Sequence, residues 1–239
     1  VQSTATEHKL LTVATEGAAQ SNFGGSVSVQ GDTVVVGAVG DDSGSNLDQG
    51  AAYVFIKSGS SWQQQQKLTA LDGDAGDYFG AAVAISGDTL VVGAFREDQA
   101  QGAVYVFVRR GQTWSQQQKL IASNGEAGDR FGSAVALSGE TVVIGAERDR
   151  IGDNLDQGSA YVFIRNGTTW SQQQQLTVSD GEAADYLGIS VALSGETVVL
   201  GAGGDDVGDN LDQGSAHVFV RSGTTWSQQQ QLTGSEHAK

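Results

Sequence analysis

Three acidic segments of the sequence carry the side chains best suited to chemistry. Each places Asp and Asn at closely spaced positions in a Gly-containing stretch: Asp41, Asp42, Asn46 and Asp48; Asp153, Asn154 and Asp156; and Asp205, Asp206, Asp209, Asn210 and Asp212. Calcium is a hard cation that takes roughly six to eight oxygen ligands, which carboxylate and amide groups supply. The three segments are therefore candidate calcium sites, and calcium is the one cofactor that the sequence suggests.

Paired carboxylates also hydrolyse glycosidic bonds, so a glycoside hydrolase is the enzymatic alternative. Such chemistry needs two carboxyl groups held in dissimilar environments within one pocket. Here the acids recur at equivalent positions of repeated units. The sequence has no cysteine, and His8, His217 and His237 are its three histidines. No nucleophile, histidine and acid combine into a triad. We therefore expect a protein without catalytic activity.

The charge balance excludes further classes of function. The 239 residues include 13 Lys plus Arg and 28 Asp plus Glu, a formal net charge of −15. This charge disfavours phosphate backbones and anionic lipid surfaces. No apolar run approaches the ~18 residues that a membrane-spanning helix needs. We expect neither nucleic-acid binding nor membrane insertion.

Four repeated units position the acidic segments. Each unit opens with an aromatic or Leu residue followed by Gly: Phe23-Gly24, Phe79-Gly80, Phe131-Gly132 and Leu187-Gly188. A Gly-Ala pair recurs at the same intervals: Gly37-Ala38, Gly93-Ala94, Gly145-Ala146 and Gly201-Ala202. A tryptophan follows in every unit: Trp62, Trp114, Trp170 and Trp226. Self-similarity at this period is typical of repeat architectures.

Each unit contains four strand patterns separated by Gly-containing turns. Short antiparallel sheets that recur about every 50 residues are typical of a β-propeller. The sequence therefore predicts an all-β fold, a four-bladed β-propeller of four-stranded antiparallel blades. The propeller is expected over residues 23–233, with blades at about 23–71, 79–122, 131–178 and 187–233. Residues 1–22 are expected to form an extra strand and linker, and residues 234–239 a tail.

The order Phe-Gly-x-Ser-Val, Val-Val-Gly-Ala and Gly-x-x-Tyr-Val-Phe resembles the FG-GAP repeats of the integrin α-subunit propeller, and still more those of large secreted bacterial proteins. The resemblance covers residues 23–233 and implies an extracellular or cell-surface, bacterial protein. Integrin-type repeats often carry a calcium loop, Asp-x-Asp-x-Asp-Gly, between the first and second strands. That place holds only Gly31-Asp32, Gly87-Asp88, Gly139-Glu140 and Gly195-Glu196, so the calcium sites of the family are not carried over.

The N-terminus adds one strand more than four blades can hold. Lys9, Leu10, Leu11, Thr12 and Val13 repeat the pattern of the outermost strand, which already has four copies. An unpaired strand is a template for pairing with another chain. We expect a homo-oligomer or polymer, a ring or a filament, in which this segment exchanges with the last outer strand, at Trp226, Gln228, Gln230 and Leu232. The alternatives are that the strand caps its own blade, or that the chain is part of a longer array.

Several further patterns in the sequence also bear on structure and function. Glutamine tracts on the outer strands, such as Gln63 to Gln66, predict a soluble sheet edge or Gln ladders between molecules. His217 stands where the other units have tyrosine, so it is expected to fill an aromatic packing site. The acidic loops, with Tyr78, Phe95 and Tyr186 as aromatic candidates, could instead bind a protein or glycan. The absence of Met predicts a processed N-terminus. The expected function is a secreted, non-catalytic structural or adhesive module, the alternative a binding propeller.

Overall fold

The computed structural model describes residues 20–234, which form 16 β-strands and one helical turn, α1 (Glu97–Ala100). Blade 1 contains β1 (Phe23–Gln30), β2 (Thr33–Ala38), β3 (Ala51–Ser58) and β4 (Ser61–Leu68). Blade 2 contains β5 (Ala82–Ser86), β6 (Thr89–Ala94), β7 (Ala103–Arg110) and β8 (Thr113–Leu120). Blade 3 contains β9 (Phe131–Ser138), β10 (Thr141–Ala146), β11 (Ser159–Asn166) and β12 (Thr169–Leu176). Blade 4 contains β13 (Leu187–Ser194), β14 (Thr197–Ala202), β15 (Ser215–Ser222) and β16 (Thr225–Leu232).

Every blade is a meander in which each strand pairs antiparallel with the next along the chain. The second strand of blades 1 to 3 is buried on both faces, as its run of apolar, mostly β-branched residues requires, whereas β14 of blade 4 is only partly buried. Tight turns with a positive-φ glycine, such as Gly59 at +63° and Gly111 at +65°, join the third strand to the fourth. The fold is a four-bladed β-propeller, and the predicted fold class is confirmed.

The blades pack side by side in chain order, with the inner strands β1, β5, β9 and β13 in successive contact. Each blade has two apolar faces. We call the face that packs on the preceding blade the leading face, and the face that covers the next blade the trailing face. Between blades 1 and 2, for example, Val54 and Leu68 of the trailing face meet Phe79, Leu90 and Trp114 of the leading face. Two further interfaces of the same composition join blades 2 to 3 and 3 to 4.

The surplus strand at Lys9 to Val13 lies outside the described residues, so its predicted role stays a prediction. Among residues 20–234, no helix has the length and hydrophobicity needed to cross a bilayer.

Candidate functional site at the blade interfaces

The aromatic-Gly pair that opens each repeat docks on the preceding blade through its backbone. Phe79 donates its backbone N–H to the carbonyl of Gln49 over 2.8 Å, and Leu187 donates to Gln157 over 2.8 Å. Gly80 has a φ of +94°, and a Cβ added to it would lie 2.3 Å from the carbonyl oxygen of Ala51. Only glycine fits this position, because it tolerates both the left-handed backbone and the close approach.

The glycine of the Gly-Ala pair forms the other side of the same contact. A Cβ on Gly37 would lie 2.0 Å from the carbonyl oxygen of Gly80. The corresponding distances are 2.1 Å from Gly93 to Gly132 and 2.0 Å from Gly145 to Gly188. The two glycines of the repeat therefore recur together, because the backbones of successive blades are in contact at these two positions.

The glutamine tracts connect the outer strands of neighbouring blades. Gln66 donates from Nε2 to the carbonyl of Trp114 and accepts at Oε1 from the N–H of Trp114, both over 2.8 Å. Gln118 bonds Trp170 in the same way, and Gln174 bonds Trp226. We call this bidentate pair the Gln clamp. Both sequence interpretations of the tracts missed it, because they considered only solvent and other molecules.

Three apolar side chains on the leading face of blade 1 are exposed. Val27 and Val29 are 67% and 66% exposed, whereas Val83 and Ile85, their counterparts in blade 2, are each 8% exposed. Phe23 is 45% exposed, whereas Phe79 and Phe131 are fully buried. Val34, Val36, Tyr53, Phe55 and Trp62 belong to a further apolar cluster, whose described members all lie in blade 1. This cluster has the composition of half a blade interface.

The trailing face of blade 4 is exposed as well. Leu232 is 44% exposed, whereas Leu68, Leu120 and Leu176 are 1–3% exposed. Gln230 occupies the clamp position on β16 and is also exposed. Within residues 20–234, apolar side chains at the two end faces are therefore more exposed than their counterparts at the three internal interfaces.

The predicted self-association residues on β16 divide between core and surface. Trp226 is buried and belongs to the interface between blades 3 and 4. Gln228 and Leu232 are exposed, although Gln228 also contacts Nδ1 of His217 over 3.1 Å. Lys9, Leu10, Leu11, Thr12 and Val13 lie outside the described residues.

The candidate calcium residues are used largely to hold their own loops. Asp41 is buried and accepts hydrogen bonds from Tyr53 Oη and, over 2.9 Å, from Lys67 Nζ. Asp42 accepts from the backbone N–H of Asp48 over 2.9 Å. Asn46 donates its side-chain amide to the carbonyl of Gly73 over 3.0 Å, which fastens the loop to the following turn.

The loops of blades 3 and 4 repeat these contacts. Asn154 donates to Gly181 O over 2.9 Å, and Asn210 donates to Gln213 Oε1 over 2.9 Å. Asp205 accepts from Ser215 Oγ and from Gln231 Nε2, and Asp206 accepts from the N–H of Asp212 over 2.7 Å. Asp153 and Asp209 are exposed, and Asp156 is half-buried.

Within residues 20–234, no group of three or more acidic or histidine side chains is arranged to hold a metal ion. The carboxylate and amide groups that the spacing placed together thus point in different directions, some into the core and some into the loop. Calcium binding stays a prediction, which a calcium titration followed by the melting temperature tests directly.

A protein-family comparison decides what the repeats are. The model of the FG-GAP repeat matches residues 6–55, 62–107, 114–163 and 170–219. The chain belongs to the FG-GAP repeat family. The second, third and fourth FG-GAP matches each run from the outer strand of one blade through the first three strands of the next. The first match begins at residue 6, so it includes Lys9 to Val13 as the sequence counterpart of β4, β8 and β12.

Comparison of structures shows a similarity between the FG-GAP chain and a larger protein. It superposes on the crystal structure of a protein from Bacteroides uniformis that is assigned as a candidate 6-phosphogluconolactonase, with a TM-score of 0.58 and 11% identity. The match covers 89% of this chain and 57% of that one, so the chain spans little more than half of its neighbour. At this identity the likeness shows the fold alone. No curated protein sequence is significantly similar to the chain.

Two of the three aromatic candidates in the FG-GAP loops, Tyr78 and Phe95, lie against guanidinium groups. Tyr78 and Phe95 meet edge to face with ring centroids 5.8 Å apart. The guanidinium of Arg96 lies 4.2 Å from the Tyr78 ring, and that of Arg130 lies 5.5 Å from the Phe95 ring. These rings are therefore occupied by cation–π contacts, which leaves less of their faces for stacking against a sugar.

His217 fills the buried aromatic position of blade 4, as predicted. It is 1% exposed and its Nε2 lies 2.8 Å from Ser215 Oγ. In blade 3 the same place is held by Tyr161, which donates to Asp149 over 2.7 Å. His217 is thus a buried side chain that packs within blade 4.

A recurring buried Asp escaped the sequence analysis. Asp77, Asp129 and Asp185 each stand two residues before the docking aromatic or Leu, and each accepts a 2.6 Å hydrogen bond from the backbone N–H three residues earlier. Burial raises the pKa of all three, that of Asp129 to about 6, with the neighbouring Asp149 carboxylate adding to the shift. Their recurrence at the spacing of the repeat was the signal that could have identified them.

Proposed function

We propose that this FG-GAP chain is a non-catalytic structural or adhesive module of the extracellular space that works by associating with further copies of itself. The observation that carries the proposal is the exposure of Val27 and Val29 on the leading face of blade 1, each of which is two-thirds exposed. Contiguous exposed apolar surface marks a site of protein–protein interaction. An extracellular location is supported by membership of the FG-GAP family.

The absence of catalysis is supported by what the acidic side chains do. The buried carboxylates recur in successive blades and are hydrogen-bonded within the fold, as Asp129 is to the N–H of Glu126 and Asp149 is to Tyr161. A pair of catalytic carboxyl groups needs contact with a substrate, which buried and internally bonded groups do not offer. The lactonase assignment of the structural neighbour belongs to that protein.

Two routes to association are distinguishable. In the first, the N-terminal segment donates a strand to a neighbouring blade. In the second, the exposed faces themselves meet. Leu11→Pro and Val13→Pro block strand pairing without touching the described faces, because proline lacks the backbone N–H that a ladder needs. Loss of association in these variants supports strand donation, and retention supports face contact.

The experiment is light scattering coupled to size exclusion over a hundredfold range of protein concentration. We expect the unaltered chain to be larger than a monomer, and the double variant Val27→Asp, Val29→Asp to be monomeric. The matched control is Leu155→Asp, which adds a charge at an exposed apolar side chain on a loop of blade 3 and should leave the mass unchanged. An unaltered chain that is monomeric at every concentration would contradict the proposal.

A further inference from the structure

We infer that Asn166 is a site of spontaneous deamidation, at which the backbone nitrogen of Gly167 displaces the side-chain amide and water completes the conversion to an acid. This inference goes beyond the proposed function and does not depend on it. Asparagine is a thermolabile residue. The reaction is fastest before glycine, because glycine has no side chain to obstruct the approach of its own nitrogen. Of the six asparagines, Asn124 and Asn166 precede glycine.

The reaction needs water as its only co-reactant. After the N–H of Gly167 gives its proton to hydroxide, the nitrogen attacks Cγ of Asn166 and a bond forms between them. The Cγ–Nδ2 bond breaks, and Nδ2 leaves as ammonia with a proton from water, which restores the hydroxide. The product is a five-membered imide. Water then opens it at Cγ to give Asp, or at the backbone carbonyl to give isoAsp, in which the main chain runs through the side chain.

The reacting groups lie at the tip of the hairpin between β11 and β12. Asn166 pairs with Thr169, so that Gly167 and Thr168 form a two-residue turn, and all four residues are exposed. Within residues 20–234, neither the side-chain amide of Asn166 nor the N–H of Gly167 makes a hydrogen bond. A Cβ added to Gly167 would meet no atom within 4 Å. The attacking nitrogen and its target are therefore free of hydrogen bonds and of steric crowding.

The other Asn-Gly pair is held by its surroundings. Asn124 donates from Nδ2 to Gln175 Oε1 over 3.4 Å, and Gly125 donates its N–H to the carbonyl of Ala122 over 3.2 Å. A Cβ on Gly125 would lie 3.2 Å from Nε2 of Gln101. An imide can form at Asn124 only after two hydrogen bonds break in a crowded loop. We therefore expect deamidation in the β11–β12 turn to be about tenfold faster than at Asn124.

The turn has to open for the attack, because an extended backbone holds Cγ of Asn166 away from the nitrogen of Gly167. Exposed turns with few contacts open at low cost in free energy. Arg165 favours the step that follows, since its Nε donates to the carbonyl of Gly167 over 2.8 Å. A positive charge this close to the reacting nitrogen stabilises its deprotonated form.

Deamidation places a new carboxylate beside the guanidinium of Arg165. This guanidinium joins two blades, because its Nη1 donates to Thr89 Oγ1 of blade 2 over 3.1 Å while it lies 6.0 Å from the ring of Trp170. A carboxylate in the same turn competes for its N–H groups. IsoAsp also adds a carbon atom to the backbone of a two-residue turn. The reaction is therefore expected to weaken the contact between blades 2 and 3 as the protein ages.

Two substitutions test whether the turn decides the reactivity. Asn166→Ser introduces the residue that blades 1 and 4 carry at the equivalent place, Ser58 and Ser222, so the variant should fold and lose the site. Ser222→Asn builds the same site in blade 4. There Arg221 Nε bonds the carbonyl of Gly223 over 2.8 Å, and a Cβ on Gly223 would meet nothing within 4 Å. We expect this variant to deamidate at position 222 at a rate similar to that of Asn166.

The measurement is the extent of deamidation at each site during several weeks at mildly alkaline pH, for the folded full chain and for the chain in urea. Brief digestion after aromatic residues and mass spectrometry resolve the sites, and an isoaspartyl methyltransferase labels isoAsp. We expect Asn166 to convert about tenfold faster than Asn124 in the folded chain, and both to convert at similar rates in urea, where the hydrogen bonds of Asn124 are lost. The midpoint of urea unfolding should fall in the aged chain and not in aged Asn166→Ser.

Each contrary result overturns a stated claim. If Asn166 stays intact in the folded chain while it converts in urea, the turn protects it and the inference is wrong. If Asn124 converts as fast as Asn166 in the folded chain, hydrogen bonds and crowding do not select the site. If Ser222→Asn leaves position 222 intact, the turn is not the cause of the reactivity. If the aged chain and aged Asn166→Ser unfold at the same midpoint, the new carboxylate does not weaken the contact of Arg165. None of these results alters the proposed function, which light scattering tests separately.

Discussion

Gln118 and Trp170 lie on the outer strands of adjacent blades and are joined by two hydrogen bonds of 2.8 Å, one in each direction. The side-chain amide of Gln118 thereby acts as a peptide group, since it satisfies both the N–H and the C=O of one residue on β12. Backbone groups that are partly buried need such partners. The Gln clamp joins β8 and β12 at the rim, where Gln172 of β12 also accepts a hydrogen bond from the backbone N–H of Ser123 over 2.9 Å.

Replacing Gln118 with Ala is expected to lower the free energy of unfolding by about 1–3 kcal/mol, because two hydrogen bonds are lost and the backbone of Trp170 is left unpaired. Urea unfolding followed by tryptophan fluorescence measures the effect. Gln229→Ala is the matched control. This glutamine belongs to the tract on β16, is exposed, and stands next to the clamp position without occupying it. Equal losses in both variants would show that the clamp contributes nothing specific.

Gly145→Ala is expected to cost far more than the ~1 kcal/mol effects of ordinary surface substitutions. The added Cβ would lie 2.0 Å from the carbonyl oxygen of Gly188, and neither backbone can move without separating blades 3 and 4. Gly201→Ala makes the same chemical change at the equivalent place in blade 4, where only a side chain is in the way. We expect Gly145→Ala to lower the melting temperature by more than 10 °C and Gly201→Ala by much less. Similar melting temperatures for the two variants would refute the account of why glycine recurs there.

The fold was predictable because the repeat and the strand alternation depend on local sequence. Phe79-Gly80 and Gly93-Ala94, for example, have counterparts at the same strand positions in the other units. The use of the acidic side chains was not predictable, because Asp41 and Asp42 are adjacent in sequence yet one points into the core and the other into its loop. Spacing alone identifies which groups are close along the chain and says nothing of the direction each side chain takes.

The exposed ends could not be foreseen from the repeat. Leu68 and Leu232 occupy the same position in near-identical strands, but one is 3% and the other 44% exposed. The difference comes from what each blade packs against, which depends on the angle between blades. A count of four units leaves that angle open. The glutamine tracts escaped for a related reason, since the partner of Gln66 is the backbone of a residue 48 positions away.

Lys67→Gln is expected to be nearly neutral. Lys67 bonds the buried Asp41 over 2.9 Å, and the equivalent bonds in blades 3 and 4 are made by Gln175 to Asp149 and by Gln231 to Asp205, each over 2.8 Å. Glutamine at this position therefore hydrogen-bonds the equivalent carboxylate in two other blades. We expect a change in unfolding free energy below about 1 kcal/mol.

Lys67→Leu is the contrasting variant. It removes the donor, so the buried carboxylate of Asp41 keeps fewer hydrogen-bond partners. This loss should lower the free energy of unfolding by about 2 kcal/mol or more. Both variants remove one positive charge, so the comparison isolates the hydrogen bond. The midpoint of urea unfolding is the measurement. Equal destabilisation by Gln and Leu would mean that the charge of Lys67, rather than the bond, is what matters.

The buried Asp129 is expected to make the protein more stable at mildly acidic than at neutral pH. Its pKa in the folded chain is about 6, raised by burial, whereas an unfolded Asp titrates near 4. The folded state therefore holds this proton more tightly. The resulting stabilisation is fully present below about pH 4 and is lost as the pH rises through about 6, with an upper limit of about 3 kcal/mol. Asp77 and Asp185 act in the same direction, because burial raises their pKa as well.

Asp129→Asn separates this effect from the general relief of negative charge. Its side-chain oxygen can still accept the hydrogen bond from the N–H of Glu126, so the variant should be more stable than the unaltered chain at pH 7. The unaltered chain is expected to gain stability as the pH falls from 7 to 5, and this gain should be smaller in the variant. Asp153→Asn changes the net charge equally at an exposed position and should leave that gain intact. Melting temperatures at half-unit pH intervals measure both variants. If Asp129→Asn and Asp153→Asn show the same pH dependence as the unaltered chain, the buried carboxyl is not the group that titrates.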